Sequence, residues 1–310
     1  MKNNKTKRKL RKSNYKLFNF DSFKKTSFKI FYILIIIVIS IFTLLDAFVF
    51  PKKEKIINKS NEKVLTGKIT SDEDSYYDDN ISMQMKTINE NNTKVYLIEV
   101  LIRKTNFLKT AFAEDAYGRN VNQELSKIAK NNGAVLAING DNYGFKKFGF
   151  VLRNGEIYRD SVGKEGTDED LVIKEDGSFE IIKESLSKLE EVRKNGAVHV
   201  LSAGPALIND GNISVSENYE IEEEKNNNSH VAIGMITPLN YIIAVSEGKT
   251  NESEGLSLNQ LAKVMLSQNC KVAYNLNGGE STSLYFNGNV IYKGTKNKER
   301  GVTDIVYFGY

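Results

Sequence analysis

The 310-residue chain has one cysteine, Cys270, and two histidines, His199 and His230. A single thiol forbids an intrachain disulfide and rules out a thiolate metal cluster. A two-metal phosphoesterase centre draws on several imidazoles as well as carboxylates, and two histidines cannot furnish them. No metal and no cofactor is expected. Basic charge is scarce in the body of the chain. The formal net charge is +4, but residues 1–55 hold 14 Lys/Arg and 3 Asp/Glu, leaving 29 basic against 36 acidic residues, a balance of −7. A body of that sign lacks an electrostatic footprint for nucleic acid, so no nucleic-acid partner is expected. The G-x-x-x-x-G-K-[ST] and G-x-G-x-x-G patterns are missing too, and a nucleotide is not implied.

What is present begins with an apolar run. Residues 30–45, IFYILIIIVISIFTLL, carry no charge; Asp46 interrupts, and residues 47–50 add a short apolar stub before Pro51. Residues 30–50 would span roughly 30 Å as a helix, enough for a bilayer core. Every face of that helix would be apolar, unlike the single stripe of a soluble core helix. Eleven Lys/Arg lie in residues 1–29 and three follow the run closely. The positive-inside rule then makes residues 1–29 a basic cytoplasmic tail. It makes residues 30–50 a single-pass anchor in the cell membrane and places the remainder outside the cytoplasm. A cleaved signal peptide is the rival reading, but the run is long for one and no A-x-A-like site precedes Pro51. Residues 51–77, rich in Lys, Glu, Asn, Ser and Asp, read as a flexible linker.

Residues 78–310 read as one body of α+β class, a mixed β-sheet core with a few helices. ISMQM alternates apolar and polar residues, and KVYLIEVLI is a dense strand-like run. A helix is expected near residues 123–130, and hairpins through Asn154–Gly155 and Asp176–Gly177. A charged helix is expected over residues 185–194, and AVHVLSAGPALI reads as a buried strand bent at Gly204–Pro205. Ser257 with Gln260 makes a capping box for the helix LNQLAKVMLSQ. Two stretches share an order: KIAKNNGAVLAINGDNYG…FVLRNGEIYRD and LAKVMLSQNCKVAYNLNGGES…LYFNGNVIYKG. Each runs helix, apolar strand, polar loop with a carboxylate, strand, Asn-Gly turn. A pseudo-twofold internal repeat is expected from this, bringing Asp141 and Glu280 to one cleft.

The loop NLNGGESTS offers successive amide groups with little side chain in the way, which suits an oxyanion. It reads equally well as a tight connection between strands. AINGDNYG places Asn139 and Asp141 directly after a strand, where side chains can converge, though Asn, Gly and Asp are also ordinary turn formers. His230 reads first as a strand-end histidine. Glu247 and Lys249, in SEGKT, read first as an ion pair on a solvated edge.

The ordered set AINGD-Y, SAGPALI, AIGMI, VSEGKT-ESEGLSL-QLA, AYNLNGGESTSLYFNG and ER-VTDIVYF resembles the phosphodiester glycosidase family from about residue 78 to 310. That family includes the domain of the lysosomal enzyme that uncovers mannose 6-phosphate and bacterial relatives labelled exopolysaccharide biosynthesis proteins. The resemblance implies a hydrolase of a sugar phosphodiester, acting outside the cytoplasm on a phosphate-linked glycan or cell-wall polymer. Cleavage of a glycosyl phosphate needs a carboxylate for the cationic transition state, a base for water and donors for the phosphate. Asp141, Glu247 and Glu280 are the expected catalytic carboxylates. Asn139, Gly140, His230, Lys249, Asn277, Gly278, Gly279, Ser281, Thr282 and Arg300 are the expected substrate-binding residues. The chain departs from the family pattern at three places. Asn277 stands where NLDGGGS has Asp and Glu280 where it has Gly; His230 stands where PRTAIG has Arg; and DGR has become Glu247-Gly248-Lys249. These changes also fit a glycan-binding or polysaccharide-assembly protein on the same fold.

Overall fold

The computed structural model describes residues 20–57, 67–162, 169–217, 219 and 229–310. Most of the expected basic tail, linker residues 58–66, and residues 163–168 ahead of the hairpin expected through Asp176–Gly177 lie outside them. The chain divides into two units, Met1–Phe50 and Pro51–Tyr310. In the first, a helix runs Phe20–Phe48, and its segment Phe28–Phe48 is long and apolar enough to cross a membrane, with none of it buried.

The second unit is built on antiparallel sheets. The largest has nine strands, and its centre is Val272–Leu276, His230–Thr237, Asn240–Ser246, Thr93–Ile102 and Ile81–Glu90 in that order. The density of KVYLIEVLI follows from burial on both faces. Val95 and Leu97 pack with Leu258, Leu261 and Met265 of the helix Leu258–Ser267, whereas Ile98, Val100 and Ile102 turn into the main core. That helix begins at the expected capping box, with both Ser257 and Gln260 side chains engaged. Across the main core lie two five-stranded sheets. One orders Asn289–Lys293, Ser283–Phe286, Ala134–Asn139, Asp304–Gly309 and Leu108–Phe112; the other orders Glu156–Arg159, Val151–Arg153, Ala197–Leu201, Glu169–Lys174 and Phe179–Lys183. The helix Leu125–Asn131 covers the first of these sheets through Leu125, Ile128 and Ala129.

Turn chemistry decides the local structure at the hairpins. Asn154–Gly155 and Asn287–Gly288 both take positive φ, as a tight hairpin requires. The expected helix over 185–194 is shorter, a single turn at Glu184–Leu186 followed by Leu189–Lys194. AVHVLSAGPALI is two strands rather than one, Ala197–Leu201 and Ala206–Asn209, in different sheets. The recurring order of elements holds in the chain, but its pairing is one-sided. Ser283–Phe286 pairs with Ala134–Asn139, while Val151–Arg153 pairs with Ala197–Leu201 and not with Val272–Leu276.

The linker expectation needs correction where residues are described. Lys52–Ile56 pairs antiparallel with Ala116–Arg119, and Ser75–Tyr77 pairs with Ile81–Glu90. A charged segment can still make an edge strand because the ladder is made by backbone groups, and Lys53 meets Glu114 at 2.7 Å. Gly118 lets the Lys52 carbonyl approach to where a β-carbon would lie 1.9 Å away.

Candidate functional site

The two polar loops meet. Strand Ala134–Asn139 lies between Ser283–Phe286 and Asp304–Gly309, so its C-terminal loop emerges beside the loop after Val272–Leu276. Asn139 fastens them: its Nδ2 donates to the Ser281 carbonyl at 2.9 Å and its Oδ1 accepts from the Ser283 amide at 2.9 Å. The Asn277 amide donates to the Gly140 carbonyl at 3.0 Å, and the Gly279 amide to the Ser229 carbonyl at 2.7 Å. Two N–H groups expected to face an anion are thus already bonded to the protein. The Asn277 side chain donates to Ser281 Oγ, which donates in turn to the Gly278 carbonyl. Thr282 is buried, its hydroxyl on the Ser229 carbonyl.

Beside this junction lies a cleft of about 730 Å³. Its walls include Asp141, His230 and Asn277–Gly279 from the expected set, joined by Lys146, Glu169 and Gly204–Pro205. The segment between Ser202 and Ala206, read from sequence as a bend, forms a gripped wall. The Ser202 amide donates to Asp141 at 2.9 Å and its carbonyl accepts from Lys146 at 2.5 Å. The Ala206 amide donates to Glu169 at 3.1 Å, and Asn275 Nδ2 to the Gly204 carbonyl at 2.9 Å.

Asp141 is 1% exposed. Its carboxylate takes Arg153 Nη2 at 2.8 Å, and the amides of Ser202 and Tyr143. Arg153, also 1% exposed, reaches Asp304 at 3.2 Å through the same nitrogen. Burial works against ionisation of Asp141, but Arg153 and the Ser202 amide prevail and hold it below the ordinary carboxylate range. Asp304 has the opposite fate. Burial, and then the charge of Asp141, push its carboxyl up to about 7. Behind them Asp170, also buried, is raised well above its ordinary value by burial and by the charge of Glu184.

His230 is 3% exposed and its Nε2 lies 2.9 Å from the Leu256 carbonyl, which fixes the proton there and leaves Nδ1 as an acceptor. Burial lowers its pKa to about 4, so the ring is neutral at neutral pH. His199 is structural: Nδ1 accepts the Asn154 amide, and burial lowers the ring to about 3.

Other expected residues stand away from the cleft wall. The Glu280 carboxylate is held by Lys296 at 2.6 Å and by Arg300, which keeps it below its usual range. Arg300 is thereby engaged by a protein carboxylate. Glu247 lies 3.6 Å from Lys94, and Lys249 is exposed. Asn139, Gly140, Ser281 and Thr282 act as fasteners between loops. Asp141 and Glu280 are therefore on adjoining loops, with one carboxylate buried and the other in solvent.

Arg153, Glu169 and Asp304 were missed as site residues. The signal was available for two of them: Arg153 within FVLRNG and Asp304 opening DIVYFG put charges into buried apolar runs, where charges are paired.

A family model described as phosphodiester glycosidase matches residues 132–309. A curated relative, the SPbeta prophage-derived uncharacterized protein YomE of Bacillus subtilis (strain 168), is 23% identical over 218 residues. That match covers 68% of this chain and 34% of the relative, so the chain spans about a third of its length. Among solved structures, the zebrafish N-acetylglucosamine-1-phosphodiester alpha-N-acetylglucosaminidase catalytic domain, auto-inhibited by its pro-peptide, superposes with a TM-score of 0.59 at 19% identity. The superposition covers 84% of this chain and 89% of that one. A hypothetical protein from Synechocystis gives 0.54 at 14% identity, over 75% and 62%. At these identities the likeness is one of fold.

Proposed function

The chain belongs to the phosphodiester glycosidase family, and from that premise we propose that its cleft hydrolyses a sugar phosphodiester at the glycosidic carbon. The observation that carries the reading is the junction of the two family loops. The Asn277 amide on the Gly140 carbonyl places Asp141 and the Asn277–Gly279 backbone on one cleft. Water attacks the anomeric carbon, the bond from that carbon to the phosphate oxygen breaks, and the electron pair leaves with a phosphate monoester. That leaving group is a stable anion and needs little help from an acid. Asp141, kept ionised by Arg153, faces the positive charge that develops on the sugar. Glu169, with one oxygen on the Ala206 amide, accepts the proton of the attacking water. Lys146, on the cleft wall, meets the phosphate. Glu280 and Arg300 form a charged rim rather than reacting groups. The body would act outside the cytoplasm, anchored through the Phe28–Phe48 helix, on a phosphate-linked cell-envelope glycan.

A second reading, glycan binding without turnover, is favoured by Asn277 and by the full engagement of Asp141. The full-length chain in detergent, given a model glycosyl phosphodiester, separates them. Sugar release that scales with protein and collapses in Glu169→Gln supports hydrolysis. Binding by calorimetry without release supports the second reading.

A further inference from the structure

Asp304 does not line the cleft, yet the loop that carries Asp141 is wrapped around it. Its carboxylate accepts the Asp141 amide at 3.4 Å, the Asn142 amide at 3.2 Å and the Thr303 hydroxyl at 3.1 Å, besides Arg153 at 3.2 Å. The Gly140 amide donates to the Asp304 carbonyl at 3.0 Å. Position 140 must be glycine for this to close, since a β-carbon there would sit 2.2 Å from Asp304 Oδ2. The carboxylates of Asp141 and Asp304 also converge on a single nitrogen, Arg153 Nη2, at 2.8 and 3.2 Å.

A charge count makes the arrangement more than a scaffold. Two carboxylates on one guanidinium would leave a buried net charge of −1, and buried charge without a partner is strongly disfavoured. One proton held between the carboxyls removes it. We infer that Asp304 is a positioning residue for the cleft, sharing one proton with Asp141 across Arg153 and thereby setting the protonation state and aim of the Asp141 carboxylate. This rests on the hydrolytic reading for its catalytic consequence, but the pair itself is a property of the fold. The elevated Asp304 pKa of about 7 agrees with it, because the charge of Asp141 is among its causes. Other charged or titratable groups face the pair. Tyr143 and Lys146 come from the loop itself, and Asp170 and Tyr274 stand near Asp141. Glu184 bonds Ser202, while His199, Tyr117 and Tyr158 lie around Arg153.

The test has two arms on the full-length chain in detergent. In the first, carboxyl ¹³C NMR follows the pair through pH in wild type and in Asp304→Asn. Wild type is expected to show a carboxyl titrating near neutral pH with concerted amide shifts at Asp141 and Asn142, and D304N is expected to lose that transition. A wild-type spectrum with no carboxyl transition above about pH 5 overturns the pair. In the second, kcat is measured against pH on a glycosyl phosphodiester. D304N should lose an ionisation near neutral pH and fall about tenfold or more in kcat with little change in KM. A folded D304N with the wild-type pH profile overturns the positioning role. Should D304N fail to fold, Gly140→Ala displaces the same carboxylate while keeping it, and the same losses are expected. Should wild type release no sugar at all, the hydrolytic reading fails while the NMR arm still decides the pair.

Discussion

The two polar loops use nearly the same residues and reach opposite electrostatic ends. In the loop after Ala134–Asn139, the carboxylate of Asp141 is buried, clamped by Arg153 and backed by Asp304. In the loop after Val272–Leu276, the carboxylate of Glu280 stands in solvent between Lys296 and Arg300. Both are ion-paired, but only the first pair has left water. Desolvation makes the buried group expensive to leave unpaired and strongly responsive to its neighbours, whereas screening makes the exposed group nearly interchangeable. A carboxylate's chemistry here is decided by what lies behind its loop.

The sharpest break of that contrast is removal of the shared cation. Arg153→Met leaves two buried carboxyls without a counter-charge, and about 3–5 kcal/mol of stability should disappear in urea denaturation. A loss no larger than that of a surface substitution would show that Arg153 is better solvated than its position indicates.

Asp304→Asn tests the buried side through pH. A carboxyl raised to about 7 in the folded protein favours folding fully below the unfolded value of ~3.9, and that contribution is lost as pH rises through 7. The two buried histidines work in the other direction. With pKa values lowered to about 3 and about 4, they weaken the fold as pH drops below ~6.5. Subtracting the D304N stability profile from wild type isolates the carboxyl. The wild type is expected to lose on the order of 2–4 kcal/mol relative to D304N between pH 4 and 8. A difference that does not change with pH would contradict the assignment.

Asn139→Ala probes the fastener between the loops. It orphans the Ser283 amide and removes one of two donors to the Ser281 carbonyl, and about 1–3 kcal/mol should be lost, with weaker protection of the Gly278–Gly279 amides seen as faster hydrogen exchange. Smallest of all is Glu280→Gln. Its denaturation midpoint should match wild type at moderate salt, because the pair with Lys296 and Arg300 is solvated; a clear drop would mean that the exposed loop is coupled to the core after all.

Much of the fold was legible from short-range chemistry. Asn-Gly and Asp-Gly pairs announced hairpins, Ser257 with Gln260 announced a helix, and the dense apolar run from Lys94 to Ile102 announced a strand. These signals act within a few residues, so tertiary context had little opportunity to overrule them. The charged strand Lys52–Ile56 was hidden because edge pairing uses backbone groups that every residue has. In the site, the family pattern and the polar loops led to Asp141, His230 and Asn277–Gly279, which do line the cleft. A charge set in an apolar run signals that Arg153 and Asp304 are paired but not with what; their strands belong to different sheets, and only the packing of those sheets brings Val151–Arg153 and Asp304–Gly309 to the same carboxylate. Glu280 drew attention as a carboxylate in a glycine-rich loop, but its two basic partners come from the following segment and face solvent.

The most direct test of the account is sugar release from a glycosyl phosphodiester by the full-length chain, compared with its Asp141→Asn variant at matched folding. The account predicts titratable release by wild type and a loss of about a hundredfold or more in kcat for the variant. Equal rates in the two proteins, or no release by wild type at any pH between 4 and 9, would contradict it.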